Sequence, residues 1–222
     1  MNAALDPRTL IPGAAAGVLS IGDLDERLSR AAVDSTPVFG SQSTAQTYSD
    51  AMEAALVAEA IVTALATPSG NVDDEWWLAK LKGLSVEGGA LGAVAGFTEL
   101  LQHGVGRTRP DGSDAESFPS GHAANSSAAA VLSSRNLAAH RPDPRVQTFI
   151  EVANTVAAAS VAWARVEADK HFATDVFVGA ALGNFLGILI HDAFLGLSEE
   201  DSAYWRILPV RGGALLMLGW KF

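Results

Sequence analysis

Phe118-Pro119-Ser120-Gly121-His122 stands directly before a run, Ala123 to Leu137, dominated by alanine and serine. Serine and glycine ahead of such a run predict the first turn of a helix over Gly121–Leu137. Free backbone N–H groups and the helix dipole favour an anion at such a start, and glycine lets the backbone come close to it. His122 falls in that first turn, where an imidazole can protonate a departing oxygen.

Outward from this helix the chain reads as helical almost throughout. Upstream lies a loop rich in glycine, proline and aspartate, Gly104 to Ser120, preceded by helices over Asp73–Leu81 and Leu84–His103 with Gly83 between them. Before these come Asp23–Ala32, ended by Ser35-Thr36-Pro37, and Thr44–Ala66, ended by Thr67-Pro68-Ser69-Gly70. Downstream, a polar stretch from Ala139 to Pro144 leads into helices over Arg145–Glu167 and Thr174–Leu197. The abundance of alanine and glycine predicts close helix packing.

Arg206 to Phe222 differs. Pro209, Gly212 and Gly213 disfavour a helix, while Leu216, Leu218, Trp220 and Phe222 alternate with period two, as in a strand. The fold class expected is therefore all-α: one helical domain over residues 1–205, followed by an extended tail over 206–222. Tryptophan two places before a terminal phenylalanine also resembles the closing strand of an outer-membrane barrel, although an extended tail packed on the helices explains it as well.

Composition limits the alternatives. The 222 residues are 49% hydrophobic and 18% charged, enough for one large core. A formal charge of -10 argues against a nucleic-acid partner, which needs clustered lysine and arginine. Without cysteine, disulfides, thiolate catalysis and cysteine-based zinc sites are excluded. Met1 to Ile21 holds an apolar run from Leu10 but lacks the basic lead and clean hydrophobic core of a signal peptide. Leu84–Leu101, Phe149–Ala164 and Val176–Ile190 are apolar, but their uncharged parts fall short of the about 20 residues of a membrane span. They are read as buried core helices.

Two more blocks complete a candidate site: Gly106-Arg107-Thr108-Arg109-Pro110, and Ala164-Arg165 with His171 and Asp175. An arginine fork matches phosphate oxygens bidentately and stays charged. His171 and Asp175 stand four apart, on one face if the helix extends back that far, so the carboxylate is expected to fix the imidazole tautomer and leave the other nitrogen as nucleophile. His103, His140 and His191 have no matching partners. Trp76-Trp77 is read as core, and Asp111, Asp114 and Glu116 as a solvated rim or lid.

The blocks resemble the type 2 phosphatidic acid phosphatase and vanadium haloperoxidase superfamily. Its pattern is lysine, six residues, Arg-Pro; then Pro-Ser-Gly-His; then Ser-Arg, five residues, His, three residues, Asp. Pro119-Ser120-Gly121-His122 completes the second block. The third matches at Arg165, His171 and Asp175, with Ala164 in place of serine, and the first keeps Arg109-Pro110 but has Gln102 where lysine is usual.

The resemblance implies a helical bundle and a phosphomonoesterase that forms a phosphohistidine at His171. Asp175 would orient that ring and His122 protonate the leaving group, while Arg109, Arg165, Ser120, Gly121 and Gln102 hold the substrate. It implies no metal or other cofactor, vanadate acting as a phosphate mimic. The partner expected is a small phosphorylated substrate, a lipid phosphate or diphosphate among the candidates, at an extracytoplasmic, periplasmic or membrane-associated location. Arg107, Lys80 or Lys82 could supply the missing charge at Gln102. The same pocket holds vanadate in haloperoxidases, and the loss of lysine is also compatible with a weakly active protein tethered to the outer membrane.

Overall fold

The computed structural model describes residues 3–67, 76–140, 142–195, 203–210 and 213–220. Among them are seven α-helices: α1 (Pro7–Leu19), α2 (Leu24–Ser35), α3 (Gln42–Ala66), α4 (Trp76–Val105), α5 (Gly121–Ala138), α6 (Pro144–Glu167) and α7 (Ala173–Leu195). The expected helices are present with small shifts at their ends. Gly83 does not interrupt α4, which absorbs two expected helices because helical glycine costs only about 1 kcal/mol. Residues 73–75 lie outside the described residues. The helical reading began at Asp23 and missed α1, whose start carries a local signal: Asp6 caps it by accepting from the Arg8 amide, and Pro7 occupies its first turn.

α5 is the axis of the bundle and packs on α3, α4, α6 and α7. Alanine and serine fill most of its length, so its neighbours come close on every side. α7 comes closest. A β-carbon placed on Gly179 would collide with the Ser120 carbonyl, one on Gly183 with the Ala124 carbonyl, and one on Gly187 would stand 2.9 Å from Val131 Cγ1. This order shows that α5 and α7 run parallel. Their first turns share one end of the bundle, where the Ser120 amide donates to the Asp175 carbonyl at 3.0 Å.

α3 also starts at that end, and α4 and α6 finish there. Glu167, fully buried at the end of α6, fixes the approach to α3. Its carboxylate accepts from the backbone amides of Val38 and Phe39, both at 3.0 Å, and from Trp163 Nε1 at 2.6 Å. A buried carboxylate needs such donors to offset its lost hydration.

Two helices, α4 and α7, are long and apolar enough to cross a membrane. They differ in burial, 56% of the apolar window in α7 but 28% in α4. The expectation of a buried core helix over Leu84–Leu101 is thereby corrected. Only the stripe Val86, Glu87, Ala90, Val94 and Thr98 of α4 is buried, while Trp76, Trp77, Leu81, Phe97 and Leu100 are more than half exposed. On α6, Phe149, Val152 and Val156 are likewise turned outward, so Phe149–Ala164 is not wholly core either.

The carboxy-terminal segment is extended, as its period predicts, but as a hairpin. β1 (Ala203–Val210) pairs antiparallel with β2 (Gly213–Trp220), placing Trp205 opposite Leu218 and Leu208 opposite Leu215. β1 begins before the expected boundary at residue 206, and the strand-like ending finds its partner in its own chain.

Candidate active site

The loop over residues 106–120 brings the three sequence blocks together at the common end of the helices. His171 lies between α6 and α7 and is 2% exposed. Its Nδ1 stands 2.7 Å from the Ser117 carbonyl. A carbonyl only accepts, so Nδ1 carries the proton and Nε2 keeps its lone pair. Nη1 of Arg109 donates toward that nitrogen at 3.4 Å. Burial, followed by the positive charges of Arg165 and Arg109, pushes the His171 pKa down to about 3. The ring is therefore a neutral, buried nitrogen base in a cationic hollow.

The expected hydrogen bond between Asp175 and the His171 ring is not formed. α7 begins at Ala173, so His171 precedes the helix and the four-residue spacing does not place the two side chains together. Oδ2 of the fully buried Asp175 accepts from the Phe172 amide at 2.9 Å, closing the first turn of α7, and from Ser117 Oγ at 2.5 Å. Its other oxygen accepts from Arg107 Nη1 at 2.7 Å. Asp175 thus holds the residue whose carbonyl holds His171. Arg107 also binds Thr174 Oγ1 and Asp25 Oδ2, each at 2.8 Å, and lies over the Phe172 ring, so it is committed to this scaffold rather than to the place of the missing lysine.

Arg165 reaches in from the last turn of α6 and is 5% exposed. Nη1 donates to Ser49 Oγ at 3.2 Å and to Asp50 Oδ1 at 3.4 Å, whereas its buried Nε has no hydrogen-bond partner among the described residues. Asp50 Oδ1 also meets His122 Nε2 at 2.9 Å, and Glu53 Oε2 meets that nitrogen at 3.2 Å. His122 and Arg165 are thus joined through an α3 carboxylate that no sequence motif announced. Asp25, Ser49, Asp50, Glu53 and Ser117 are the functional neighbours missed from sequence. Asp50 and Glu53 stand one helical turn apart on one face, but a charged pair on a helix is usually a solvated face.

Ser120 is fully buried, and its hydroxyl caps α5 by accepting from the Ala123 amide at 3.4 Å. At Gly121 a β-carbon would meet nothing closer than Thr98 Cγ2 at 3.7 Å, so packing alone does not demand glycine there. Gln102 Nε2 donates to the Pro119 carbonyl at 3.0 Å and thereby tethers the second block to α4. Lys80 and Lys82 lie near the start of α4, at the opposite end from the site. On the loop, Asp114 Oδ1 accepts from Arg109 Nε at 2.6 Å and Asp111 from Lys170 at 2.6 Å, so these carboxylates orient cations at the rim.

Two guanidinium groups, a neutral imidazole, a second imidazole and a capped helix start suit a tetrahedral oxyanion. The chain resembles known proteins. Over 96 residues, 43% of this chain, it is 33% identical to a lipid A 1-phosphatase from Porphyromonas gingivalis and spans about a fifth of that protein's length, 20%. In fold it resembles a transmembrane PAP2-type phosphatidylglycerolphosphate phosphatase from Bacillus subtilis, with a TM-score of 0.60, 21% identity, and coverage of 86% of this chain and 96% of the other. The profile of the PAP2 superfamily matches residues 87–197, which contain every sequence block of the site. The chain belongs to the PAP2 superfamily.

Proposed function

We propose that this protein is a metal-independent phosphomonoesterase that removes phosphate from a lipid through a phosphohistidine on His171. The carrying observation is the imidazole itself: buried, neutral, tied at Nδ1 to the Ser117 carbonyl, with Nε2 turned toward Arg109. Nε2 attacks phosphorus, the P–O bond to the alcohol breaks, and His122 gives the departing oxygen its proton. Water, deprotonated by His122, then attacks the phosphohistidine and frees both orthophosphate and the ring. Arg109 and Arg165 neutralise the equatorial oxygens, and the Ser120–Gly121 start of α5 adds its dipole. Two guanidinium charges supply what a cation would otherwise provide.

A lipid substrate fits the exposed apolar surface of α4 and α6, which would place the cradle at a membrane surface. By the resemblance, that surface is extracytoplasmic. The chain purified in detergent should hydrolyse p-nitrophenyl phosphate in the presence of EDTA, be inhibited by vanadate, and lose activity on His171→Ala substitution. Hydrolysis that persists in His171→Ala, or that requires added divalent cation, would overturn this reading. Halide oxidation with vanadate would transfer the site to peroxidase chemistry, and silence in both assays would leave a scaffold.

A further inference from the structure

The cationic cradle has an acidic wall that the transfer step does not use. On α3, Asp50 and Glu53 both touch His122 Nε2, at 2.9 and 3.2 Å, and Asp50 reaches Arg165 at 3.4 Å. Asn125, one turn beyond His122 on α5, donates to Glu53 Oε1 at 3.0 Å and fixes that side chain. Glu53 is mostly buried and Asp50 is half exposed, so the wall begins at the cradle and opens to the outside. Two carboxylates beside a site for an anion weaken anion binding. Their position against the imidazole assigned to the leaving oxygen restricts what lies beyond that oxygen.

We propose that Asp50 and Glu53 select the leaving group: they accept hydrogen bonds from an ammonium or hydroxyl carried on the alcohol side of the ester and repel a second anionic group there. The inference rests on the phosphatase reading and narrows it from lipid phosphates and diphosphates to monoesters whose alcohol carries hydrogen-bond donors. With phosphorus at Arg109 and Arg165 and the ester oxygen at His122, the next two or three atoms of the alcohol meet the carboxylates. An ammonium or hydroxyl there is bound, and the second phosphate of a diphosphate meets like charge, most strongly at Glu53, the less exposed and so less screened of the two.

The test compares kcat/KM for phosphoethanolamine, p-nitrophenyl phosphate and inorganic pyrophosphate in wild type, Asp50→Asn, Glu53→Gln and the double variant. Wild type should favour phosphoethanolamine over pyrophosphate by about tenfold or more, and the double variant should reduce that ratio by about tenfold. Both single variants should lie between, and Asp50→Asn, at the half-exposed position, keeps the test valid if Glu53→Gln, at the less exposed one, fails to fold. A loss common to all three substrates with an unchanged ratio would mean that the pair only positions His122, and would overturn the proposal. If wild type turns over none of the three, the phosphatase reading fails by itself. The wall is then read from binding: competition by pyrophosphate and phosphoethanolamine for vanadate bound to the His171→Ala protein, with the same ratio expected to shift and an unshifted ratio overturning it.

Discussion

Replacing Ser117 with alanine distinguishes a carboxylate that touches His171, the proposed nucleophile, from one that acts through an intermediary. Ser117 is fully buried, its hydroxyl donates to Asp175 at 2.5 Å, and its carbonyl receives the His171 proton at 2.7 Å. The variant removes a charge-assisted hydrogen bond worth about 1.5–3 kcal/mol. Because Oδ2 of Asp175 keeps the Phe172 amide and Ser117 keeps its own amide bond to the Arg107 carbonyl, the stability loss should fall near about 1.5 kcal/mol. The catalytic loss should be larger in proportion. A carbonyl released by a fraction of an ångström lets the imidazole turn, and displacement by about 1 Å costs up to about a hundredfold in rate. Steady-state hydrolysis of p-nitrophenyl phosphate should therefore show kcat lowered about 10–100-fold with KM little changed. Asp175→Asn should lower it similarly, and the double variant by less than the product of the two. If Ser117→Ala keeps kcat within about twofold while Asp175→Asn abolishes it, Asp175 acts on the ring directly and the indirect arrangement is wrong.

Gln102→Lys keeps a donor for the Pro119 carbonyl and adds charge beside the start of α5, so it should tighten vanadate inhibition by about one to two decades. An unchanged inhibition constant would show that the charge is already supplied. His171 takes up no proton until about pH 3 when folded but near 6.5 when unfolded, so its contribution to stability is complete above about pH 6.5 and is lost as pH falls toward 3. Between pH 6.5 and 5 the wild type should lose up to about 2 kcal/mol more than His171→Gln in denaturant unfolding, and parallel pH dependences would refute the burial argument. Gly183→Ala drives a methyl group into the Ala124 carbonyl and should destabilise by about 1–3 kcal/mol, which an unchanged unfolding midpoint would contradict.

Six of the seven helices and the three motif blocks were legible because each has a local cause, whereas α1, which has one too, was passed over. Helix starts carry Ser120 or an Asp-Pro pair, the loop carries its glycines and prolines, and clustered basic residues stand out in a chain with a formal charge of -10. What stayed hidden is long-range. Asp50 and His122 lie 72 positions apart, and Glu167 reaches back to Val38 and Phe39, pairings that no spacing rule encodes. The spacing of His171 and Asp175 misled because it presumes a helix, and the chain does not enter α7 until Ala173. The outward face of α4 was read as core because an apolar side chain looks alike in sequence whether it meets protein or lipid.

The glycine contacts of α7 against α5 divide the pocket into a fixed jaw and an adjustable one. Ser120, Gly121, His122 and Asp175 sit on two helices whose backbones touch, leaving evolution no slack on that side. α3 meets the pocket through the side chains of Ser49, Asp50 and Glu53. Relatives that adapt to new head groups should therefore vary along α3 and leave the α5–α7 seam alone.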